Sequence, residues 1–343
     1  MELSHKQIES LKEMLAQPCL RIVILSHTNP DGDAVGSSLA WAEVLRARGH
    51  EVTCVVPNKY PYFLDWMPGI EEVVVFKTDT EGRAVKAIAE ADVLFCLDFN
   101  AVSRLEILSE TIQGNTTARR VLIDHHLQPD EGFDIVFSHP ESSSTCFLVY
   151  CLVEAMYGTG AITRRMGELL YVGMMTDTGN FAFSHLTPEL FRAVAVLLEK
   201  GISIPEIHNS VYNAYTEGRA RLFGYAINRK MALIEDGTVA YMSLLESEMR
   251  RFQFQQGDSE GFVNYALTIK KVKMSAMFLA HRKFIRISLR SRGDVDVNLF
   301  ARKYFNGGGH KNAAGGKSFL SMEETIDHYI RSVREFAEEG HLG

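Results

Sequence analysis

Short apolar runs alternate with helical stretches over roughly the first 190 residues of the chain. The runs are typical of strands, and they cover residues 23–25, 52–56, 73–76, 93–97, 121–123 and 135–137. Helices are predicted between them, for example at 34–48, at 83–91 and after the hydroxyl residues of 142–145, which suit a helix N-terminus. This alternation predicts an α/β fold with a mostly parallel sheet that helices cover on both faces.

The pattern changes after about residue 220. Predicted strands then cover 238–245, 272–280 and 284–290, predicted helices cover 262–269 and 297–304, and a capping box at Ser321 opens a last helix. The length of 343 residues also favours two domains over one. We therefore expect a first domain at 1–190, a helical connector at 191–220 and, across a cleft, a smaller α+β domain at 221–343.

Acidic and histidine residues follow four apolar segments of the first domain. In an open α/β sheet the carboxyl ends of the strands meet at one crevice, so these side chains are expected to converge. Buried carboxylates without cations would take up protons instead, and the grouping therefore predicts a two-metal hydrolytic site. The side chains concerned are His27, Asp31, Asp33, Asp98, Asp124, His125, His126 and Asp177.

Carboxylates and imidazoles without thiolates suit Mn²⁺ or Mg²⁺, and the imidazoles favour Mn²⁺. Each cluster also has a simpler interpretation when it is taken alone. Asp31 and Asp33 are typical of helix caps, and Asp98 and Asp177 of turns. The occurrence of all four clusters together favours the metal site, in which Asp98 bridges the two ions and an acidic residue orients the adjacent histidines.

The second domain contains a glycine-rich segment at 306–316, with five glycines in eleven residues. Its backbone, including Gly308 and Gly309, could approach an anion closely, and His310 and Lys311 add donors and positive charge. Arg290 ends a predicted strand of the same domain and offers a phosphate ligand. The alternatives are a flexible loop and an exposed arginine at a strand end.

Composition narrows the class of protein. Thirty-six basic and 43 acidic residues give a net charge of −7, which argues against binding of long duplex DNA. The five cysteines form no CxxC pair, no signal-peptide pattern opens the chain, and no apolar run is long enough to span a bilayer. We therefore expect a cytoplasmic protein with reduced thiols and no membrane partner. The oligomeric state stays open, and a homodimer is one option.

In their order along the chain, these clusters resemble the motifs of the DHH phosphoesterase superfamily. The segments at 27–37, at 97–100 and at 176–181 look like three of its motifs, Asp124-His125-His126 is the motif that names it, and 307–315 resembles the signature of its associated C-terminal domain. Within the superfamily the chain is most similar to the NrnA-type enzymes. The resemblance implies a DHH catalytic domain and a DHH-associated substrate-binding domain.

The resemblance also implies a role for each residue. One ion would be held by His27, Asp31 and Asp98, and the second by Asp33, Asp98, His125 and Asp177. Asp124 would contact the metal ligands without binding an ion itself, and His126 would lie beside the substrate phosphate. The candidate catalytic residues are Asp124, His126 and His310, and either His126 or His310 could protonate the leaving 3′-oxygen. His310 would hold the same phosphate from the other domain. The remaining substrate contacts would come from Arg290, Lys311, Gly308 and Gly309.

We therefore expect one or both of two reactions. The first is hydrolysis of short single-stranded RNA or dinucleotides to mononucleotides, and the second is removal of the 3′-phosphate from pAp. A phosphodiesterase for cyclic or linear dinucleotides is an alternative within the superfamily. The segment at 307–316 argues against a manganese pyrophosphatase, and the chain length argues against a RecJ-type exonuclease. A non-catalytic nucleotide sensor is the alternative from another class, although such a protein is expected to have lost at least one ligand.

Overall fold

The computed structural model describes residues 3–182 and 185–342. The chain divides into two compact units, the first ending at Ala214 and the second beginning at Tyr215. The division lies within the predicted connector. Each unit has its own sheet.

The sheet of the first unit is entirely parallel, with the strand order β3-β2-β1-β4-β5-β6. Its strands are β1 (Arg21–Leu25), β2 (Glu51–Val56), β3 (Val74–Val75), β4 (Val93–Leu97), β5 (Arg119–Asp124) and β6 (Ile135–Ser138). All residues of β4 are buried, as expected for a central strand with helices on both faces. The prediction of an α/β fold with a mostly parallel sheet is confirmed.

Helices cover both faces of this sheet. The helices of this unit are α1 (His5–Leu15), α2 (Gly32–Arg46), α3 (Arg83–Glu90), α4 (Ser109–Gly114), α5 (Thr145–Tyr157), α6 (Arg164–Asp177), α7 (Pro188–Glu199) and α8 (Ile204–Tyr212). Helices α3 and α4 pack on one face through Ile88 and Ile112. On the other face, the Trp41 ring of α2 meets the Phe95 ring of β4 edge-on, with 5.7 Å between centroids. Because α5 and α6 pack around α2, nearly every residue of α2 is buried.

The second unit contains a mixed six-stranded sheet with the order β11-β12-β10-β9-β8-β7. Its strands are β7 (Ala232–Ile234), β8 (Val239–Leu244), β9 (Met274–His281), β10 (Phe284–Ser291), β11 (Gly308–His310) and β12 (Ala313–Ser318). Strands β8 and β9 are parallel, and the other pairs are antiparallel. The α+β class predicted for this part of the chain is confirmed.

Five helices complete the second unit. They are α9 (Glu217–Tyr225), α10 (Glu246–Arg251), α11 (Phe262–Tyr265), α12 (Val297–Tyr304) and α13 (Met322–Glu338). One sheet face packs against α12 and α13 through residues such as Ile287, Phe300 and Tyr329. The opposite face packs against α9, α10 and α11, but this core involves β8 and β9 rather than β10 to β12. Helix α11 also contacts β10, and the face of β10 to β12 that looks away from α12 and α13 carries mostly polar residues and glycines.

The glycine-rich segment is an ordered hairpin and not a flexible loop, because β11 and β12 pair within it. A Cβ atom at Gly307 would lie 1.9 Å from the carbonyl oxygen of Gly315, so only glycine allows the two strands to approach this closely. Across residues 3–182 and 185–342, no helix is both long and apolar enough to cross a bilayer.

Candidate metal centre

The predicted acidic clusters lie at the switch point of the parallel sheet. Strands β1 and β4 are neighbours, but the chain continues from β1 toward β3 and from β4 toward β6, so the connections leave in opposite directions. A crevice forms at the carboxyl ends of such strands. His27 follows β1, Asp98 follows β4, and Asp124 ends β5, so three of the clusters are placed at this crevice by the topology alone.

Helix N-termini place the carboxylates of the first motif. Asp31 is the N-cap of α2 and accepts from the amides of Asp33 and Ala34 at 3.0 and 3.1 Å. Asp33 points away from this cap and accepts from the amides of Thr145 and Cys146 at 2.7 and 2.8 Å, at the start of α5. Capping and metal binding are therefore compatible for Asp31, because a carboxylate has further lone pairs to offer.

Two groups of ligand-type atoms lie side by side. In the first, one atom each of His27, Asp31 and Asp98 lie within 4.8 Å of one another, and His27 Nε2 is 3.4 Å from Asp98 Oδ2. In the second, atoms of Asp33, His125 and Asp177 lie within the same limit, and His125 Nε2 is 3.3 Å from Asp177 Oδ2. The first group is the first ligand set that the resemblance implies. The second group contains every member of the second set except Asp98.

Asp98 lies between the two groups. Its Oδ2 faces His27, whereas its Oδ1 is 3.6 Å from His125 Nε2 and accepts from Thr145 Oγ1 at 3.0 Å. The backbone of Asp98 has φ 63°, a left-handed conformation that is uncommon for a residue other than glycine and that recurs at functional sites. One carboxylate thus presents an oxygen to each group.

The electrostatics of the site favour cations. Burial raises the pKa of Asp98 well above its usual range, and the negative charges of Asp33, Asp31, Asp177 and Asp124 raise it further. Burial also raises the pKa of Asp33. Two divalent cations would compensate this repulsion and would suit a donor set of carboxylates and imidazoles, so the residues present fit the implied metals.

In both candidate ligand imidazoles, the Nδ1 atom contacts a backbone carbonyl oxygen. His27 Nδ1 is 2.9 Å from the carbonyl oxygen of Thr28, and His125 Nδ1 is 3.2 Å from that of Ser142. A carbonyl oxygen accepts only from a protonated nitrogen, which leaves Nε2 of each ring toward the carboxylates. Burial lowers the pKa of His27, which favours the neutral form that a metal ligand requires.

Asp124 contacts His126, and one atom each of Asp98, Asp124 and His126 lie within 4.8 Å of one another. Its Oδ1 lies 2.7 Å from His126 Nδ1, and its Oδ2 accepts from the His126 amide at 3.0 Å. Burial lowers the pKa of His126 well below its usual range, and the neighbouring His125 and Arg104 lower it further. The buried Asp124 carboxylate therefore fixes the orientation of a neutral imidazole at the edge of the site.

Sequence reasoning missed Arg104, which lies between two of the motifs. Its carbonyl oxygen accepts from the Thr28 amide at 2.9 Å, and its positive charge lowers the pKa of both His27 and His126 after the effect of burial. It follows β4 in an irregular segment where Glu106 has φ 45°. No periodic pattern marks such a segment, and only the proximity of Arg104 to Asp98 in the sequence could have drawn attention to it.

In the second unit, the predicted phosphate residues lie on neighbouring strands. His310 of β11 is opposite Ala313 of β12, which is opposite Arg290 of β10, so their side chains share one sheet face. Lys311 lies at the turn, and its Nζ is 2.9 Å from Asp294 Oδ1. The amide of Gly309 donates to Asn298 Oδ1 at 3.0 Å, so in this geometry it is used within the hairpin rather than for an anion. Gly308 pairs with Gly315.

Two protein-family models match separate parts of the chain. The model of the DHH family, N-terminal domain, matches residues 21–174, and the model of the DHHA1 domain matches residues 236–339. The chain is 28% identical to the bifunctional oligoribonuclease and PAP phosphatase NrnA of Thermus thermophilus, over 92% of this chain and 89% of that protein.

Two solved structures are also similar. An exopolyphosphatase-related protein from Bacteroides fragilis is 40% identical, and the likeness covers 97% of each chain with a TM-score of 0.90. RecJ from Thermus thermophilus in complex with Mn²⁺ is 12% identical and has a TM-score of 0.55, covering 97% of this chain and 54% of that one. The second likeness shows a shared fold alone.

Proposed function

The chain belongs to the DHH family and is a metal-dependent phosphoesterase, and on this basis we propose that it hydrolyses short oligoribonucleotides and pAp with two Mn²⁺ ions. The observation that carries the two-metal proposal is the position of Asp98, with one oxygen toward each ligand group. The substrate proposal is supported by the likeness to NrnA, which extends over most of both chains.

In this proposal His27, Asp31 and Asp98 hold one ion, and Asp33, Asp98, His125 and Asp177 hold the other. Two bound divalent ions lower the pKa of water and neutralise charge that develops on phosphate oxygens during in-line attack. The Asp177 side chain is 29% exposed, whereas those of Asp33, Asp98 and His125 are at most 5% exposed. Substrate would therefore enter from the side of Asp177.

The protein's own residues orient the reacting groups. Asp124 holds His126 in one orientation, so that its imidazole can contact the substrate phosphate and assist proton transfer. Arg104 places positive charge on the same side as His27 and His126, where it would favour a phosphate over a neutral ligand. His310 and Arg290 are proposed to bind phosphate on the sheet of the second unit.

The test is a turnover panel of pAp, the dinucleotide pGpG, a five-nucleotide RNA and c-di-AMP, with Mn²⁺ and Mg²⁺ compared. We expect release of AMP from pAp or of mononucleotides from the linear RNAs, with faster turnover in Mn²⁺. Turnover of c-di-AMP alone would replace the proposed substrates with a cyclic dinucleotide.

The matched variant is Asp98→Ala, because it removes a ligand from both groups. We expect its turnover of each substrate to fall to background. Near-normal hydrolysis by this variant in Mn²⁺ would contradict the shared-ligand role.

A further inference from the structure

Four rows of side chains cross the polar face of β10 to β12. The first contains Arg290, Ala313 and His310; the second contains Ser288, Gly315 and Gly308. The third row pairs Arg286 with Lys317, and the fourth begins at Phe284, which is opposite His281 of β9. Directly opposed residues of an antiparallel pair point to the same face, so all four rows lie on one surface.

The third row places two cations opposite each other. Such a like-charged pair destabilises a sheet unless an anion accompanies it. The Arg286 guanidinium donates to Ser259 Oγ at a distance of 3.4 Å, which is long for a hydrogen bond. Its Nε is buried and has no acceptor among the residues that the structure describes. Burial lowers the pKa of Arg286, and the negative charge of the neighbouring Glu260 partly opposes this effect, so an acidic residue of the protein accompanies this row.

The second row leaves the surface between the basic rows nearly bare. Gly308 and Gly315 have no side chains, and Ser288 adds only a hydroxymethyl group. Arg286 and Arg290 are four residues apart on one strand, a separation of about 13 Å between Cα atoms. At this separation a single phosphate cannot contact both guanidinium groups if each side chain extends straight out from the sheet. A single-stranded nucleic acid with several phosphates could instead lie along the second row.

The fourth row supplies an aromatic platform. The rings of Phe284 and His281 are stacked with 5.1 Å between centroids, and the ammonium group of Lys317 lies 5.2 Å from the Phe284 centroid. Proteins that bind single-stranded nucleic acids combine positive charge along the backbone with aromatic rings for the bases. The order of basic row, bare floor, basic row and aromatic row has this character.

We propose that Arg286 and Lys317 form a second phosphate subsite, which binds an internal phosphate of an oligonucleotide while Arg290 and His310 hold another. This inference rests on the proposed function for the placement of phosphate at Arg290 and His310. It adds a selection by length, because a mononucleotide such as pAp is too short to reach both basic rows.

The test uses Arg286→Gln, Lys317→Gln and the double variant, which keep much of each side chain but remove its charge. Binding of a labelled pentaribonucleotide is measured by fluorescence anisotropy in EDTA, and turnover of pAp is measured in Mn²⁺. We expect each single variant to bind the pentanucleotide about tenfold more weakly, the loss typical of one charged hydrogen bond. The dependence of log affinity on log salt should fall by about one per variant, while pAp turnover stays within about twofold.

The matched control is Arg331→Gln. Arg331 is exposed on α13, which covers the opposite face of the same sheet. This variant removes the same charge from the same unit and should leave pentanucleotide binding unchanged. An equal loss in the control would show a general effect of net charge and would overturn the subsite.

Unchanged pentanucleotide binding in the double variant, or an equal loss toward pAp and the pentanucleotide, would also overturn it. If Arg286→Gln lowers the melting temperature, Lys317→Gln alone decides, since Lys317 is exposed. If the wild-type protein cleaves neither pAp nor RNA, the proposed function fails, but the anisotropy comparison still tests the subsite.

Discussion

At the scale of single residues, one carboxylate in this site contacts a histidine through both of its oxygens, while others lie among the candidate metal ligands. Asp124 is fully buried and both of its oxygens contact His126, whereas Asp98 presents its oxygens to two different groups. Both follow parallel strands and both are acidic. The roles proposed for them therefore differ, and of the two only Asp98 has a positive φ.

Asp124→Asn should separate positioning from metal binding. An amide retains the shape of the carboxylate but not its charge, so the His126 ring loses its fixed orientation. We expect kcat to fall about 10- to 100-fold, the usual effect of losing such an orienting partner. The Mn²⁺ concentration for half-maximal activity should change less than kcat, and steady-state kinetics across a Mn²⁺ titration measures both.

Glu141→Gln is the control for this prediction. Glu141 Oε1 lies 2.8 Å from His139 Nδ1, which makes another carboxylate–histidine pair in the same unit, but the Glu141 side chain is exposed. Activity should not change in this variant. A normal kcat in Asp124→Asn would show that the orientation of His126 does not matter for the reaction.

At the scale of elements, capping residues marked several helix boundaries in the sequence. Ser144 caps α5, Ser321 forms the capping box of α13, and the predicted limits of α12 at 297 and 304 agree with the structure. The carboxyl ends of apolar strands likewise located most of the candidate ligands. Local signals sufficed here because caps and buried strands leave direct marks in residue type.

Other elements left no such mark. Strands β11 and β12 consist largely of glycine and alanine, residues that are depleted in strands, so the sequence predicted no strand where the hairpin forms. The register that opposes Arg286 to Lys317 depends on this hairpin and could not be predicted without it. The oxygen that Asp98 turns toward each group likewise depends on tertiary packing.

Helix α6 must approach the site closely, and Gly173 permits this approach. A Cβ atom there would lie 2.2 Å from Cys146 Sγ and 2.5 Å from Asp33 Oδ1. Gly173→Ala should therefore reduce the free energy of unfolding by about 1–3 kcal/mol through overpacking. It should also weaken Mn²⁺ binding, because Asp33 is displaced. Urea denaturation and Mn²⁺ titration calorimetry measure the two effects.

Gly224→Ala provides the comparison within a helix. Gly224 lies in α9, and a Cβ atom there would meet no atom within 4 Å. The substitution should leave stability unchanged or raise it by up to about 1 kcal/mol. If Gly173→Ala were equally harmless, α6 would have room to move and the predicted contact with Asp33 would be wrong.

At the scale of the whole molecule, we expect the metal-free site to be a source of instability. Five carboxylates gather at one end of the sheet, and burial together with mutual repulsion disfavours the charged form of Asp98. Asp98→Asn removes one of these charges without changing the size of the side chain. At pH 8 in EDTA the variant should be about 1–3 kcal/mol more stable than the wild type.

Added Mn²⁺ should reverse this order. Ligand binding to the folded state stabilises the wild type by about 2.7 kcal/mol at a concentration of one hundred times Kd, whereas the variant lacks the shared ligand and should gain little. Urea denaturation with and without Mn²⁺ measures both effects. A wild type that is not stabilised by Mn²⁺ at millimolar concentration would argue against a metal site in this crevice.

The spacing of the candidate ligands along the chain has a consequence for biosynthesis. His27 follows the first strand, but Asp177 is the last residue of α6, some 150 positions later. A ribosome releases the amino-terminal strands first, so the parallel sheet can begin to form while Asp177 is still inside the exit tunnel. A growing polypeptide should therefore bind no ion in the group that contains Asp177 until α6 has left the ribosome. Metal binding at both groups is then delayed until nearly the whole first unit has been translated.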